Sequence, residues 1–197
     1  LAPTADYLVG EGAATIPAAI SVGSFTSRKD YPDGLHPNAR GNRPNVVLNG
    51  VDVVGLRSYF SSNGPGLDSI RVRPTVLAPG SMVCSALNAL APGFNPEAQT
   101  TFVADVLKRG DRTYYYGAMQ GTSMASPFVA GCVALWLQAS PTLTPADITD
   151  IIRRSSRRPS AMNNAEWTPL YGYGRIDAYK GLQLALQHAK TTGIARP

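Results

Sequence analysis

A serine at the start of a long apolar segment is the most chemically informative feature of this sequence. Residues 121–131 read G-T-S-M-A-S-P-F-V-A-G, and the apolar run spans residues 125–137. That run is too long for a typical strand and is typical of a buried helix. Pro127 falls in its first turn, where a missing N–H costs nothing. Ser123 is therefore predicted at a helix N-terminus, where unpaired N–H groups and the positive end of the dipole favour negative charge.

A serine hydroxyl in that environment is suited to nucleophilic attack on a carbonyl, because the attack produces an oxyanion. The alternative is that the same residues only cap a helix. The whole string closely resembles the nucleophile motif of the subtilisin-like serine proteases, which favours the catalytic interpretation. The family's usual histidine after the proline is Phe128 here, and that side chain is not a member of the family's catalytic triad.

Four further segments resemble blocks of this family and occur in the family's order. The first two are I-P-A-A-I-S-V-G-S-F-T at 16–26 and Y-F-S-S-N-G-P at 59–65. The others are R-P-T-V-L-A-P-G at 73–80, with Thr75 where aspartate is common, and Y-G-Y-G-R-I-D-A at 171–178. Any one block is weak alone, so the resemblance depends on all five together.

The family's other catalytic segments do not occur in the sequence. Subtilisins carry their aspartate and then their histidine before the serine, but no D-[S/T]-G or H-G-T-H segment precedes Ser123. His36 lies in a Pro/Gly/Asn-rich stretch that predicts a surface loop. His188 lies near the end of the last predicted helix, where a solvated histidine favours the dipole. Neither histidine is predicted to be the general base, and the family's oxyanion-hole asparagine would fall at or just before Leu1.

The resemblance implies that residues 1–197 are the C-terminal portion of a single subtilase catalytic domain, with the nucleophile segment at 121–138. It implies a serine endopeptidase in which Ser123 is the nucleophile and its backbone N–H is one oxyanion donor. Thr122 matches a position beside that hole. The chain alone is predicted to be inactive, because the aspartate, histidine and asparagine segments are absent. The alternative is a non-catalytic subtilase-like binding or structural module.

Composition excludes some other classes of protein. The chain has 197 residues, 44% of them hydrophobic and 16% charged, which predicts one soluble domain or a large piece of one. The net charge of +5 does not form a basic face interleaved with aromatic residues, so no nucleic-acid partner is predicted. No apolar run reaches the length of about 20 residues that a membrane span requires.

Partners, location and cofactors follow mainly from the resemblance. The expected partners are a protein or peptide substrate and the missing N-terminal part of the catalytic domain, in a secreted or periplasmic protein. Cys84, Cys132 and the two histidines lack the spacing of a zinc site, and Cys132 is predicted to be a small buried hydrophobe. A disulfide between the cysteines is left open. No cofactor is predicted to be required, and the sequence does not decide whether structural calcium is bound.

The predicted elements give an α/β fold. The resemblance implies a subtilisin-like, doubly wound, mostly parallel sheet with helices on both faces, of which this chain holds the C-terminal part. Helices are predicted at 123–138, after the capping box that begins at Thr144, and from Asp177 to about Lys190. Gly131 is predicted where a side chain would push a neighbouring element away. Strands are predicted at 16–26, 56–61, 75–78, 83–87, 102–107 and 113–116, with a short hairpin at 46–54.

Overall fold

A parallel strand pair carries the helix on which the candidate nucleophile lies. The computed structural model describes residues 16, 18–28, 31–32, 40–41, 53–64, 73–96 and 103–192. Strand β1 (Val22–Phe25) pairs in parallel with β4 (Val76–Pro79), with Val22 opposite Val76. Helix α1 (Thr122–Ala139) packs on both strands. The predicted strands at 16–26 and 75–78 are thus confirmed, although the first is shorter.

Both faces of β4 are buried, as is usual for a parallel strand. Val76 and Ala78 point into the main core, which α1 covers, and Leu77 points to the other side. On that other side Leu77 packs against Met162 and Tyr171, which belong to a 3-10 turn (Ser160–Met162) and the loop after it. The α/β architecture is confirmed, with described helices on one face of the pair and irregular chain on the other.

The remaining described strands pair in an antiparallel manner. A three-stranded sheet has the order β5-β7-β6, in which β5 is Val83–Ala86, β6 is Val103–Arg109 and β7 is Arg112–Met119. A two-residue turn, in which Gly110 has a φ of 56°, joins β6 to β7. Strands β2 (Tyr31–Pro32) and β3 (Arg40–Gly41) form a short pair. Among the described residues, β1 and β4 are therefore the only named strands that pair in parallel.

The predicted strand at 56–61 is wrong. These residues form turns, and only Arg57 makes an isolated bridge, to Phe25. The backbone N–H of Ser58 donates to the carbonyl oxygen of Ser24, while the N–H of Ser61 turns back to the carbonyl of Ser58. A bond to β1 and a turn within the segment therefore satisfy these backbone groups without a ladder of strand length. Most of the predicted hairpin at 46–54 lies outside the described residues.

Two further helices occur where the sequence predicts them, and both contribute side chains to the core beside α1. Helix α2 (Pro145–Ser155) begins at a capping box in which Thr144 and Asp147 bond to each other's backbone. Helix α3 (Ala178–Thr191) begins at Asp177, whose carboxylate accepts a hydrogen bond from the N–H of Lys180. Helix α3 packs on α1 and α2. The two cysteines are free, so the disulfide that the sequence left open is not formed.

One side of α1 is uncovered, which corrects the expectation of a buried helix. Ala125, Val129, Cys132 and Trp136 face the core, whereas Phe128 is 46% exposed and Leu135 is 55% exposed. Among the described residues, no atom lies within 4 Å of a Cβ built at Gly131, so the described chain does not supply the predicted close neighbour of Gly131. We call Phe128, Gly131 and Leu135 the open face of α1. No described element covers this face.

By length and composition alone, α1 is apolar enough to cross a membrane. This is weak evidence, because core helices of soluble proteins meet the same criterion. Trp136 of α1 is fully buried, and its indole N–H donates to the carbonyl oxygen of Ala178 over 3.1 Å. Those contacts are typical of a helix that packs within a protein core.

The contact between α1 and α3 depends on a glycine. A Cβ built at Gly181 would lie 2.5 Å from Trp136 Cε2, and nearer still to Cζ2. We expect Gly181→Ala to lower the free energy of unfolding by about 1–3 kcal/mol, because the fixed indole ring leaves no space for a methyl group. Urea unfolding followed by circular dichroism measures this effect.

Gly131→Ala is the matched control for that substitution. It also places alanine inside a helix, but in open space, so the better helix propensity should raise stability by up to about 1 kcal/mol. If both variants were stabilised equally, the packing of α3 against the indole ring of Trp136 would be contradicted.

Candidate active site

The turn before α1 presents Ser123 at the surface. Gly121 is the N-cap residue of α1 and has a φ of 148°, a conformation that L side chains rarely adopt. Its N–H donates to the carbonyl oxygen of Gly80 over 2.7 Å, directly after β4. Ser123 is the second residue of α1 and is exposed. The predicted nucleophile is therefore at a helix N-terminus with its hydroxyl group accessible.

The first turn of α1 leaves backbone donors free. The N–H groups of Met124 and Ala125 donate to the carbonyl of Gly121. The N–H groups of Thr122 and Ser123 have no acceptor among the described residues, and the first turn contains no acidic side chain. The positive end of this 18-residue helix is therefore uncompensated within the described part of the chain, so an anion placed there would be stabilised.

A pair of buried hydroxyl groups lies beside Gly80, the residue to which the turn is hydrogen-bonded. Ser24 and Ser58 are fully buried, and their hydroxyl oxygens lie 2.8 Å apart. A Cβ built at Gly80 would lie 2.9 Å from Ser24 Cβ and 2.7 Å from the carbonyl oxygen of Gly121. The nucleophile turn is thus packed closely on the carboxyl ends of β1 and β4, where open α/β sheets bind ligands. Scattered serines give no periodic signal in the sequence from which this network could be predicted.

His188 is not placed to act on Ser123. Its Nδ1 lies 2.9 Å from the hydroxyl oxygen of Ser140, the residue that follows α1. At a rise of 1.5 Å per residue, Ser140 is about 25 Å along the helix axis from Ser123. His188 is also half-buried and hydrogen-bonded, rather than solvated as predicted. His36 lies outside the described residues.

The described carboxyl groups with shifted pKa values serve as caps and ion pairs. The hydroxyl of Thr144 holds the pKa of Asp147 below its ordinary value. The N–H of Lys180, with a smaller contribution from Arg157, lowers the pKa of Asp177, and a hydrogen bond from Arg153 lowers that of Asp150. All three carboxylates belong to the caps or turns of α2 and α3, so none is placed to orient a base beside Ser123.

The described residues include no cluster of three or more histidine, cysteine, aspartate or glutamate side chains that could hold a metal ion. Burial raises the pKa of the Cys132 thiol, as expected of the small buried hydrophobe that the sequence predicted.

The Arg153 and Arg154 side chains occupy the last turn of α2 and pair with Asp150. These two arginines therefore form ion pairs within α2.

Comparison with known proteins shows the family to which the chain belongs. The family model described as the subtilase family matches residues 7–174, which is most of the chain. The chain belongs to the subtilase family. The match includes both strands of the parallel pair and the whole of α1, so it covers the elements that position Ser123.

Curated subtilase relatives are proteases. The chain is 47% identical over 76 residues to a calcium-dependent protease of Trichormus variabilis, covering 36% of this chain and 12% of that protein. It is 28% identical over 178 residues to the extracellular serine protease of Aeromonas sobria, covering 73% of this chain and 28% of that protein. The chain therefore spans less than a third of either relative.

A solved subtilase structure shares the fold. The CspB protease of Clostridium perfringens superposes with a TM-score of 0.54 at 21% sequence identity, over 88% of this chain and 28% of that one. A likeness at this level of identity shows the subtilisin-like α/β fold alone. It does not show the role of any residue in this subtilase chain, and each role has to be argued from the chemistry of the site.

Proposed function

We propose that this chain carries the nucleophile of a subtilisin-like serine endopeptidase, and that Ser123 is that nucleophile. The observation that carries the proposal is an exposed serine at the N-terminus of α1, beside N–H groups with no described acceptor. Family membership supports a peptidase. Residues 1–197 would then form the C-terminal portion of one catalytic domain.

In the proposed reaction Ser123 Oγ attacks the carbonyl carbon of a peptide bond. A histidine accepts the hydroxyl proton and passes it to the leaving amine, while an aspartate fixes the tautomer of that histidine. The tetrahedral oxyanion accepts a hydrogen bond from the N–H of Ser123, with Thr122 beside it. Water then hydrolyses the acyl-enzyme by the same proton transfers in reverse. These steps require no cofactor.

The histidine, the aspartate and a second oxyanion donor would come from an N-terminal part of the domain. Two observations support this partner. The chain spans less than a third of the relatives compared above, and the open face of α1 is apolar and uncovered by any described element. A helix that is apolar all round is usually buried. We propose that the N-terminal part covers this face and brings its catalytic side chains to Ser123.

Substrate class and location follow from the same relationship. The proposed substrates are proteins or peptides. The proposed location is secreted or periplasmic, supported by relatives such as the extracellular serine protease of Aeromonas sobria.

Labelling with a fluorophosphonate tests the proposal, because this reagent reacts with serines activated by a base and an oxyanion hole. The isolated chain is expected to remain unlabelled. The chain expressed with the segment encoded upstream of Leu1 is expected to be labelled at Ser123 in a one-to-one ratio. Mass spectrometry of the labelled tryptic peptide identifies the serine.

Two outcomes would each contradict one part of the proposal. Stoichiometric labelling of the isolated chain would contradict the need for an N-terminal part, while leaving Ser123 as the nucleophile. An upstream segment without D-[S/T]-G and H-G-T-H motifs, together with an unlabelled Ser123, would favour the non-catalytic binding or structural module.

A further inference from the structure

A concave surface lies at the end of β7 that is far from Ser123. Its cavity has a volume of about 680 Å³. Its lining includes apolar side chains from the loop after β5 and both polar and aromatic groups from the start of β7. Among the lining residues are Leu87, Leu90, Phe94, Arg112, Thr113 and Tyr115. We call this surface the edge groove.

The edge groove borders a stretch of β7 that, among the described strands, has no neighbour on one side. Strand β5 ends at Ala86, opposite Tyr116, and the last bond on that side runs from the N–H of Leu87 to the carbonyl oxygen of Tyr115. Backbone groups of alternate strand residues point the same way. The N–H and C=O of Thr113 therefore point to the same side as those of Tyr115, where no described backbone group meets them. An extended peptide could pair there.

The wall of the groove is apolar and well packed, whereas its lip is exposed. The ring of Phe94 packs against Tyr115 with centroids 5.2 Å apart. Leu87 covers Gly117, where a Cβ would lie 2.7 Å from a leucine methyl carbon. Leu90 is 93% exposed. A partner's apolar side chain entering the groove would therefore contact a fixed aromatic wall and remove Leu90 from water.

One end of the groove carries uncompensated positive charge. Arg112 lines the groove and lies directly opposite Arg109 in the β6–β7 ladder. Both residues are exposed, and within the described part of the chain neither guanidinium pairs with a carboxylate, including that of Asp111 in the turn between them. Like charges directly opposite on a sheet are unfavourable, so an incoming carboxylate would be attracted to this end.

We propose that the edge groove binds an extended, acidic segment of the substrate protein by adding it to the edge of β7. The segment pairs its backbone with Thr113, places an apolar side chain against Phe94 and Leu87, and places a carboxylate at Arg112. Edge pairing of this kind draws affinity from main-chain bonds and specificity from side-chain pockets.

The role in substrate binding depends on the function proposed for Ser123. Strand β7 continues through Met119 to the turn that presents the nucleophile, and Thr113 is about 20 Å along the strand from Met119. The groove therefore recognises a part of the substrate remote from the bond that is cut.

Peptide binding to the full chain with Ser123→Ala tests the proposal without any turnover. The probe is a fluorescein-labelled peptide, Ser-Thr-Val-Leu-Glu-Glu-Ser, and its counterpart has lysine in place of both glutamates. Fluorescence anisotropy is expected to show the glutamate peptide binding at least tenfold more tightly. Arg112→Glu should remove this preference, and Leu90→Asp should weaken binding of the glutamate peptide several-fold.

Backbone pairing has its own readout. Two versions of the glutamate peptide are N-methylated on alternate residues, so that each blocks one edge of the extended peptide. One version should bind like the parent and the other about tenfold more weakly. Equal binding of both versions overturns the pairing with Thr113.

Lys180→Glu is the matched control for Arg112→Glu. It makes the same change in net charge at an exposed residue of α3, and it should leave peptide binding unchanged. Equal binding of the glutamate and lysine peptides, or binding of neither, overturns the proposal. A chain that dimerises through the groove without binding peptide also overturns it.

The peptide-binding experiment and the fluorophosphonate labelling of Ser123 can succeed or fail independently. Peptide binding by the Ser123→Ala chain does not require a triad, whereas fluorophosphonate labelling does not require Arg112. If labelling fails while the glutamate peptide binds, the groove stands as a peptide site and only its link to a protease substrate is lost.

Discussion

Ser123→Ala, in the chain expressed with its upstream segment, is expected to lower kcat for a peptide substrate by about 10⁶-fold. A loss of that size follows removal of the nucleophilic serine from subtilisin itself. The physical reason is that the acyl-enzyme cannot form, and only oxyanion stabilisation and binding remain. The KM is expected to change little, because the hydroxyl makes its main interaction in the transition state. Steady-state hydrolysis of a fluorogenic peptide measures both constants.

Ser126→Ala is the control for Ser123→Ala. Ser126 is also an exposed serine, three residues further along α1, and its replacement should leave kcat within about twofold of the parent, as for a surface substitution outside the reacting groups. A Ser123→Ala enzyme that retained activity within tenfold of the parent would remove the basis for naming Ser123 the nucleophile.

The position of Ser123 could be predicted because several local signals agree. A glycine that adopts a φ of 148° and a long apolar run together define the start of one helix. The prediction of Pro127 in the first turn is wrong, because α1 begins at Thr122 and Pro127 is its sixth residue. The predicted helix at 123–138 and the observed Thr122–Ala139 differ by one residue at each end. The capping box at Thr144 and the N-cap at Asp177 were predicted from equally local sequence signals, and both are confirmed.

Contacts between distant residues could not be predicted in the same way. The hydroxyl pair of Ser24 and Ser58, which supports the nucleophile turn, joins residues 34 apart. The failure of the predicted strand at 56–61 has the same origin, because its backbone meets only the end of β1, at the distant Ser24 and Thr26, before the chain turns back at Ser61. Similarly, nothing near His188 in the sequence indicates that Ser140 is its hydrogen-bond partner.

The uncovered side of α1 shows a different limit. A period of 3.6 residues identifies the buried side of a helix only when the opposite side is polar. In α1 the exposed stripe contains Phe128, Gly131 and Leu135, and the buried stripe contains Val129, Cys132 and Trp136. Since both stripes are apolar, the sequence predicts a helix surrounded by protein. The described chain supplies only one of the two neighbours.

The double substitution Phe128→Asp, Leu135→Asp is expected to prevent activation of Ser123 in the chain expressed with its upstream segment. Phe128 and Leu135 are about half exposed, so covering them contributes about 1.5–3 kcal/mol. Carboxylates at both positions would have to be buried unpaired, which costs at least about 2 kcal/mol more. The corresponding loss in the equilibrium for docking the N-terminal part is about 10²–10⁴-fold. The rate of fluorophosphonate labelling should fall by a similar factor. The isolated chain should keep its helical circular dichroism, because both side chains are already exposed there.

Tyr179→Asp is the matched control for the open face. Tyr179 is a large side chain that is 71% exposed on α3, away from the open face, and aspartate in the first turn of a helix is favourable. This variant should be labelled at the rate of the parent, and Phe128→Leu should retain most of that rate. The isolated double variant should also self-associate less in light scattering, because an exposed apolar patch has been replaced by charge. Undiminished labelling of the double variant would mean that the catalytic partner docks elsewhere, and that the open face of α1 has no part in assembling the active site.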